Sequence, residues 1–128
     1  MKKQRLLIIE DAEEIRDAIK EVLDKKYEVT AVGTGAEALK EVSKKFFTMI
    51  LMDVGLPDYT GFELWEKIQR VYKSKKTAIF FLTGRDDDFN KITAFSLGAD
   101  DYLVKPFNLL EMEARVDARM QKLLDKAS

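Results

Sequence analysis

Four short strand-like runs in this chain end on residues that can do chemistry. Leu6-Leu7-Ile8-Ile9 leads into Glu10-Asp11, and Met49-Ile50-Leu51-Met52 leads into Asp53. Thr77 to Leu82 ends on Thr83-Gly84, and Asp101 to Val104 ends on Lys105-Pro106. Parallel strands present their C-terminal ends on one edge of a sheet, where ligands bind. That edge would carry three carboxylates, one hydroxyl and one ammonium. A pair of like charges ~4 Å apart costs about 4 kcal/mol at an effective dielectric of about 20, so the group needs a cation. Lys105 supplies one charge. A divalent ion on Glu10, Asp11 and Asp53 would supply the rest, and oxygen-only ligands with few carboxylates suit Mg2+. A carboxylate beside a phosphate-binding magnesium can itself be the nucleophile and become an aspartyl phosphate. Thr83 could then bond one phosphoryl oxygen and Lys105 neutralise another. The plainer reading gives each residue a separate local role, in which Asp11 caps a helix, Asp53 and Thr83 cap turns, and Lys105 is a surface lysine.

The elements that must position these residues follow from periodicity. Leu6 to Ile9 is a buried strand, followed by a helix with Ile15, Ala18, Ile19, Val22 and Leu23 at helical spacing. Asp11 and Glu14 have capping-box spacing for its start. Tyr27 to Val32 is a mixed strand, and Gly33-Thr34-Gly35 turns into a helix carrying Ala38, Leu39 and Val42. After the strand at Met49 and the Gly55 to Thr60 loop comes a helix from about Gly61 to Tyr72, with Leu64, Trp65, Ile68 and Val71 on one face. Thr77 to Leu82 is the fourth strand, and the helix from about Asp86 to Leu97 is stopped by Gly98. Asp101 to Val104 is a short fifth strand. The last helix starts at Asn108 as N-cap and turns Leu109, Met112, Val116, Met120 and Leu123 inward. The pattern is five strand–helix units, an α/β chain whose central strands are covered by helices on both faces. One domain over residues 1–124 is expected, with 125–128 as a frayed end or the start of a linker.

Composition removes whole classes of function. The chain has no Cys and no His, which excludes disulfides, thiol nucleophiles, zinc fingers and a catalytic imidazole. Any metal must be a hard one bound by oxygen. The 22 basic and 23 acidic residues nearly cancel, and no basic stripe stands out, so the domain itself is not expected to contact nucleic acid. No apolar run reaches the ~20 residues of a membrane span. The apolar segment behind Met-Lys-Lys-Gln-Arg is too short for a signal peptide, so the chain reads as cytoplasmic.

The set of motifs resembles the receiver (CheY-like) domain of two-component response regulators, over about residues 4 to 123. The motifs are Glu10-Asp11, Met52-Asp53 with Leu56-Pro57 and Gly61-Phe62-Glu63-Leu64, Leu82-Thr83-Gly84, and Gly98-Ala99-Asp100-Asp101-Tyr102 running into Lys105-Pro106-Phe107. The resemblance implies a doubly wound, flavodoxin-like (βα)5 fold with a five-stranded parallel sheet in the order 2-1-3-4-5. It implies that Asp53 takes a phosphoryl group from the phosphohistidine of a sensor histidine kinase. Such a domain is mainly not an enzyme but a phosphoacceptor that assists its own phosphorylation and dephosphorylation. Mg2+ would sit on Asp11, Asp53 and the backbone carbonyl of Gly55, with Glu10 acting through water. Phosphoryl oxygens would meet Lys105, Thr83 and backbone N–H groups near Gly55 and Gly84. The Lys105–Pro106 bond would be cis. Thr83 would then be pulled inward and Tyr102 would rotate into the space it leaves, although Tyr102 also reads as a half-exposed strand aromatic.

Glu10 before Asp11, the Leu-Pro pair and the Gly-Ala-Asp-Asp-Tyr run resemble the subfamily joined to winged-helix DNA-binding domains. That resemblance implies a homodimer through the fourth helix, fifth strand and fifth helix, pairing Lys91 with Glu111, Asp101 with Arg115 and Asp100 with Arg119 across a two-fold axis. Glu111, Arg115 and Arg119 are also spaced as a solvated helix face with an internal Glu–Arg pair. Three positions depart from the family pattern: Gly55 two residues after the acceptor, Arg85 two after Thr83, and Thr60 before Gly61. The first two leave the phosphoryl lifetime open.

Other readings compete. Gly33-x-Gly35-x-x-Ala38 fits a loose dinucleotide fingerprint, with Asp53 twenty residues beyond Gly33. It lies after the second strand, however, and leaves the acid pair, Thr83 and Lys105 without roles. A magnesium-dependent phosphatase would want an acid where Gly55 stands. A receiver-shaped interaction module that is never phosphorylated would not need the full set of site residues. Asp86-Asp87-Asp88 could bind calcium, but acids at a helix start usually cap it. Trp65 and the phenylalanines are expected in the core.

Overall fold

A computed structural model describes residues 2–85 and 87–127. Ten elements alternate without exception: β1 (Arg5–Ile9), α1 (Glu13–Leu23), β2 (Glu28–Val32), α2 (Gly35–Lys44), β3 (Met49–Asp53), α3 (Gly61–Tyr72), β4 (Ala78–Thr83), α4 (Asp88–Ser96), β5 (Asp101–Val104) and α5 (Leu109–Ala127). The five strands are all parallel and lie in the order β2-β1-β3-β4-β5. The register sets Leu6 against Met49, Met49 against Ala78, and Phe80 against Asp101.

Alternation along each strand divides the core in two. Leu7, Ile9, Ile50, Met52, Ile79, Phe81 and Tyr102 face Ala38 and Val42 of α2, Leu64, Trp65 and Ile68 of α3, and Ala94 of α4. Leu6, Ile8, Met49, Leu51, Phe80, Leu82 and Leu103 face Ile19 and Leu23 of α1 and Met112, Val116 and Met120 of α5. Because strands 1, 3 and 4 are covered on both faces, they are apolar throughout rather than alternating. Each fully buried side chain of this size contributes about 1.5–3 kcal/mol relative to exposure. Trp65 is core, as expected, and its indole N–H donates to the Leu97 carbonyl, whereas Phe89 and Phe95 of α4, expected in the core, are exposed.

Several expected details shift. Val71 is exposed, and Tyr72 takes the inward place. The Tyr72 hydroxyl accepts from Phe47 N and donates to Lys45 O, so it can be buried without an orphaned polar group. Asp11 does not cap α1: Ala12 is the N-cap and brings no side-chain bond, while Glu10 Oε2 accepts the Ala12 N–H instead. Strand β4 lies one residue later than periodicity suggested and includes Thr83. Asp87 caps α4 by accepting from Asn90 N, an ordinary capping role in place of a calcium site; Asp86 lies outside the described residues. Gly98 ends α4 with φ of +89°, a conformation glycine adopts without strain. Asn108 caps α5 as expected. Helix α5 continues through Asp125 to Ala127, and Ser128 lies outside the described residues.

In a parallel βα succession every helix begins at the C-terminal edge of the sheet. First turns carry Glu13 and Glu14, Glu37, Glu63, Asp88 and Glu111, and last turns carry Lys20, Lys44, Arg70 and Lys126. These signs complement the helix macrodipoles. Among the described residues, no helix is long and apolar enough to cross a membrane.

Candidate functional site

The C-terminal edge of the sheet brings Glu10, Asp11, Asp53, Thr83 and Lys105 to one place. Glu10 follows β1 and is fully buried, with its N–H donated to Val32 O. Asp53 ends β3 and Thr83 ends β4; both are buried. The Lys105 N–H donates to Thr83 O at 2.7 Å, which brings its side chain back over the end of β3. The Lys105–Pro106 bond is cis. The Lys105 ammonium lies 2.5 Å from Glu10 Oε1 and donates to Asp53 Oδ2 at 3.0 Å. Its approach to Glu10 is an ion pair without hydrogen-bond alignment, so Glu10 Oε1 is buried and has no hydrogen-bond partner. Asp53 Oδ1 accepts the Gly55 N–H at 2.9 Å.

The charges are unevenly held. Burial pushes the Glu10 carboxyl up to about 7, Lys105 and the Ala12 N–H pull against that, and Asp53 adds to the rise. Burial would also raise the Asp53 carboxyl, but the Gly55 N–H, the Glu10 side chain and Lys105 outweigh it and hold Asp53 below its ordinary value. Burial works against the Lys105 ammonium, yet the two carboxylates keep its pKa raised. The group is therefore short of positive charge: one ammonium serves two buried acids, and exposed Asp11 stands beside them.

Carboxylate oxygens of Glu10, Asp11 and Asp53 lie within 4.8 Å of one another. A hard divalent cation fits this set of carboxylate oxygens, since Lys105 alone faces two buried acids. We expect Asp53→Asn to bring the raised Glu10 pKa down, since Glu10 then ionises against Lys105 alone. Mg2+ binding should weaken in the same variant. Carboxyl titration followed by NMR and a Mg2+ titration check the two, and an unchanged Glu10 pKa would count against a strained acid group.

The glycines differ in what they do. A Cβ at Gly84 would meet nothing within 4 Å, and one at Gly55 would only touch Asp53 Oδ1 at 3.9 Å, so packing demands glycine at neither. Both leave space beside Asp53. At Gly61 a Cβ would sit 2.6 Å from the Asp53 carbonyl oxygen, and the Gly61 N–H donates to Val54 O at 2.7 Å. Thr60, one of the departures from the family pattern, is structural: it forms a capping box with Glu63 at the start of α3.

Thr83 Oγ1 accepts the Arg85 N–H at 3.0 Å and also points at Arg85 O. The Tyr102 hydroxyl donates to the same carbonyl at 3.1 Å. Tyr102 is buried rather than half-exposed, with its ring beside Phe95. The two expected switch residues thus meet on one backbone oxygen.

On the outer face, Arg115 binds Asp101 at 2.9 Å and Glu111 at 2.9 Å, and Arg119 binds Asp100, all within one chain. Lys91 is exposed on α4. Exposed Phe89, Ile92 and Phe95 on α4 and Leu110 on α5 lie on the same two helices.

The dinucleotide reading meets an obstacle. The first amides of α2, Gly35 N and Ala36 N, donate to the Asp58 carboxylate at 2.9 Å each, where a pyrophosphate would have to sit. Asp58 and Arg16, which donates from Nη1 to Glu10 O, are site neighbours that periodicity did not single out.

The response regulator receiver domain family matches residues 6–117. Over 120 residues the chain is 34% identical to the regulatory protein VanRc of Enterococcus gallinarum, covering 93% of this chain and 51% of that protein. Over 124 residues it is 37% identical to the transcriptional regulatory protein YvrH of Bacillus subtilis, covering 95% of this chain and 51% of that one. The chain thus spans about half the length of these curated relatives. A CheY-like receiver domain protein from Methanospirillum hungatei superposes with a TM-score of 0.88 at 29% identity, covering 97% of this chain and 98% of the other. With five parallel strands in the flavodoxin order and the acid group at their C-terminal edge, the chain belongs to the response regulator receiver domain family.

Proposed function

We propose that the chain is a phosphorylation-dependent switch in which Asp53 is the acceptor. The observation that carries this reading is the buried Asp53 carboxylate, fixed by the Gly55 N–H and Lys105 inside a group of three acids. An Asp53 oxygen attacks phosphorus of a kinase phosphohistidine. The P–N bond breaks, its electron pair returns to the imidazole, and an acyl phosphate forms. Asp11, Asp53 and the Gly55 carbonyl, with Glu10 through water, would hold Mg2+. When bound, Mg2+ neutralises charge on the carboxylates and the phosphoryl oxygens. Lys105, released from Asp53, pairs with a phosphoryl oxygen, and the backbone N–H groups near Gly55 and Gly84 can serve the others. Thr83 gives up Arg85 N and turns its hydroxyl to the phosphoryl group. Tyr102, already inside, keeps Arg85 O.

The output surface is the α4–β5–α5 face. On dimerisation Asp101–Arg115 and Asp100–Arg119 exchange their partners for those of a second copy, and Lys91 takes Glu111. The exchange creates few new ion pairs, so burial of the exposed α4 side chains provides most of the drive. The setting is the cytoplasm and the donor a sensor histidine kinase; this domain makes no contact of its own with nucleic acid or membrane.

Acetyl phosphate with Mg2+ should add one phosphoryl mass to the intact protein. Asp53→Asn should remain unmodified. Unchanged mass in the wild type, or undiminished labelling in the variant, would sink the proposal.

A further inference from the structure

The loop between β3 and α3 carries the acceptor's neighbours and is tied down at two levels. At its base, Val54 N donates to Leu82 O, Gly61 N to Val54 O, and Gly55 bridges to Thr60. At its tip, Asp58 reaches across to another element. Its Oδ1 accepts from Gly35 N and its Oδ2 from Ala36 N, one oxygen for each of the first two amides of α2. Tyr59 follows the same path: a Cβ at Gly35 would lie 2.3 Å from its ring, so glycine there permits the close approach. The Lys67 ammonium stands 5.7 Å from the Tyr59 ring centroid.

The turn that receives Asp58 also lies against Arg16, which reaches the loop after β1. A Cβ at Gly33 would lie 2.8 Å from Arg16 Nη1, and that nitrogen donates to Glu10 O. The start of α2 is therefore the meeting place of the loops after β1 and β3. This accounts for Gly33-x-Gly35, a motif that otherwise has no role. It needs no dinucleotide, because the protein's own carboxylate fills the helix N-terminus.

We propose that Asp58 is a positioning residue for the acceptor site: by clamping the β3–α3 loop to the N-terminus of α2, it fixes the Gly55 peptide against Asp53. This deepens the functional reading above and rests on it. Gly55 lacks a Cβ and has wide conformational freedom, so its orientation depends on what holds the loop beyond it. The Gly55 N–H holds Asp53 Oδ1, and the Gly55 carbonyl is the proposed backbone ligand of Mg2+. Loss of the clamp frees both groups of this residue at once.

Three variants separate the clamp from ordinary helix capping. Asp58→Ala removes both bonds. Asp58→Asn keeps one acceptor oxygen. Thr34→Ala weakens the same end of α2, because Thr34 Oγ1 accepts from Glu37 N, yet it leaves the loop untouched. Amide exchange at Gly55 is read in the metal-free full chain, and binding is read with Mg2+ alone. Asp58→Ala should speed Gly55 exchange and weaken Mg2+ binding, each about tenfold, as for other residues that orient metal ligands. Asp58→Asn should fall between it and the wild type, and Thr34→Ala should stay within about twofold of the wild type. Equal effects of Thr34→Ala and Asp58→Ala, or an Asp58→Ala protein whose Gly55 exchange is unchanged, would overturn the clamp. A wild type that neither binds Mg2+ nor takes a phosphoryl group would overturn the functional reading instead, while the exchange measurement still decides the clamp.

Discussion

Gly61→Ala lowers the stability of the protein by about 3 kcal/mol, the upper range for forcing extra volume into a packed site. The new methyl group would lie 2.6 Å from the Asp53 carbonyl oxygen and 2.9 Å from Val54 Cα. Both are backbone atoms, so no side chain can turn away to make room. Relief requires α3 to retreat from β3, which stretches the 2.7 Å bond from Gly61 N to Val54 O. The same movement displaces Asp53, so the phosphoryl uptake proposed for it should fall along with stability. Gly84→Ala is the internal comparison: its methyl group meets nothing within 4 Å, so its stability should stay within about 0.5 kcal/mol of the wild type. Urea denaturation of the two variants reads this directly. A Gly61→Ala loss below about 1 kcal/mol would mean that the β3–α3 junction is softer than its contacts imply.

Stability of the metal-free protein should fall by roughly 3 kcal/mol between pH 4.5 and about 7, converting the Glu10 shift at about 1.4 kcal/mol per unit. Glu10 binds its proton more tightly in the fold than in the unfolded chain, where it titrates near 4.5. Across that interval the unfolded state has lost the proton and the native state retains it, so each step up in pH favours unfolding. The trend levels off above about 7, where both states are ionised. Asp53 has the opposite sign, but its lowered pKa places its effect below its ordinary value of 3.8. Lys105 contributes only above 10.5. The chain contains no histidine, so no imidazole titrates across the interval. Glu10→Gln should flatten the profile, and Mg2+ should reverse it, since binding favours the ionised carboxylate. A wild-type profile that is flat from pH 5 to about 7 would show that Glu10 is ionised throughout.

What could be read from the chain alone depended on how local the physics was. Three apolar runs, with a mixed second and a short fifth, gave away the strands; parallel pairing followed from the helices between them, and the strand order from the resemblance. The meeting of Glu10, Asp53, Thr83 and Lys105 was legible because each stands directly after a buried run. Asp58 was not, since a carboxylate behind Leu56-Pro57 looks like any turn residue and its partners lie twenty-odd positions earlier. Capping by Asp11 had the right spacing, but the fold uses the first turn differently: Glu10 turns back to Ala12 N and leaves Asp11 exposed. Val71 and Tyr72 exchanged places because a phenol with two backbone partners can be buried against the sheet. Whether Arg115 and Arg119 serve their own chain or a second copy is a matter of association, which no periodicity encodes.

The regular placement of acids at helix starts and lysines or arginine at helix ends has an effect at long range. A formal net charge of −1 conceals a side-chain dipole along the strands, with acids at the Asp53 edge and basic residues at the far end of every helix but α4, opposed in part by the helix macrodipoles. A charged protein approaching from solution exerts a torque on that dipole before any surface touches. A cationic face is drawn toward the acceptor edge, and an anionic one is met by the lysine end. A phosphoryl group on Asp53 adds up to about two negative charges at the end that is already negative. Modification therefore strengthens the dipole, and changes how the molecule turns in a neighbour's field as well as which face it offers.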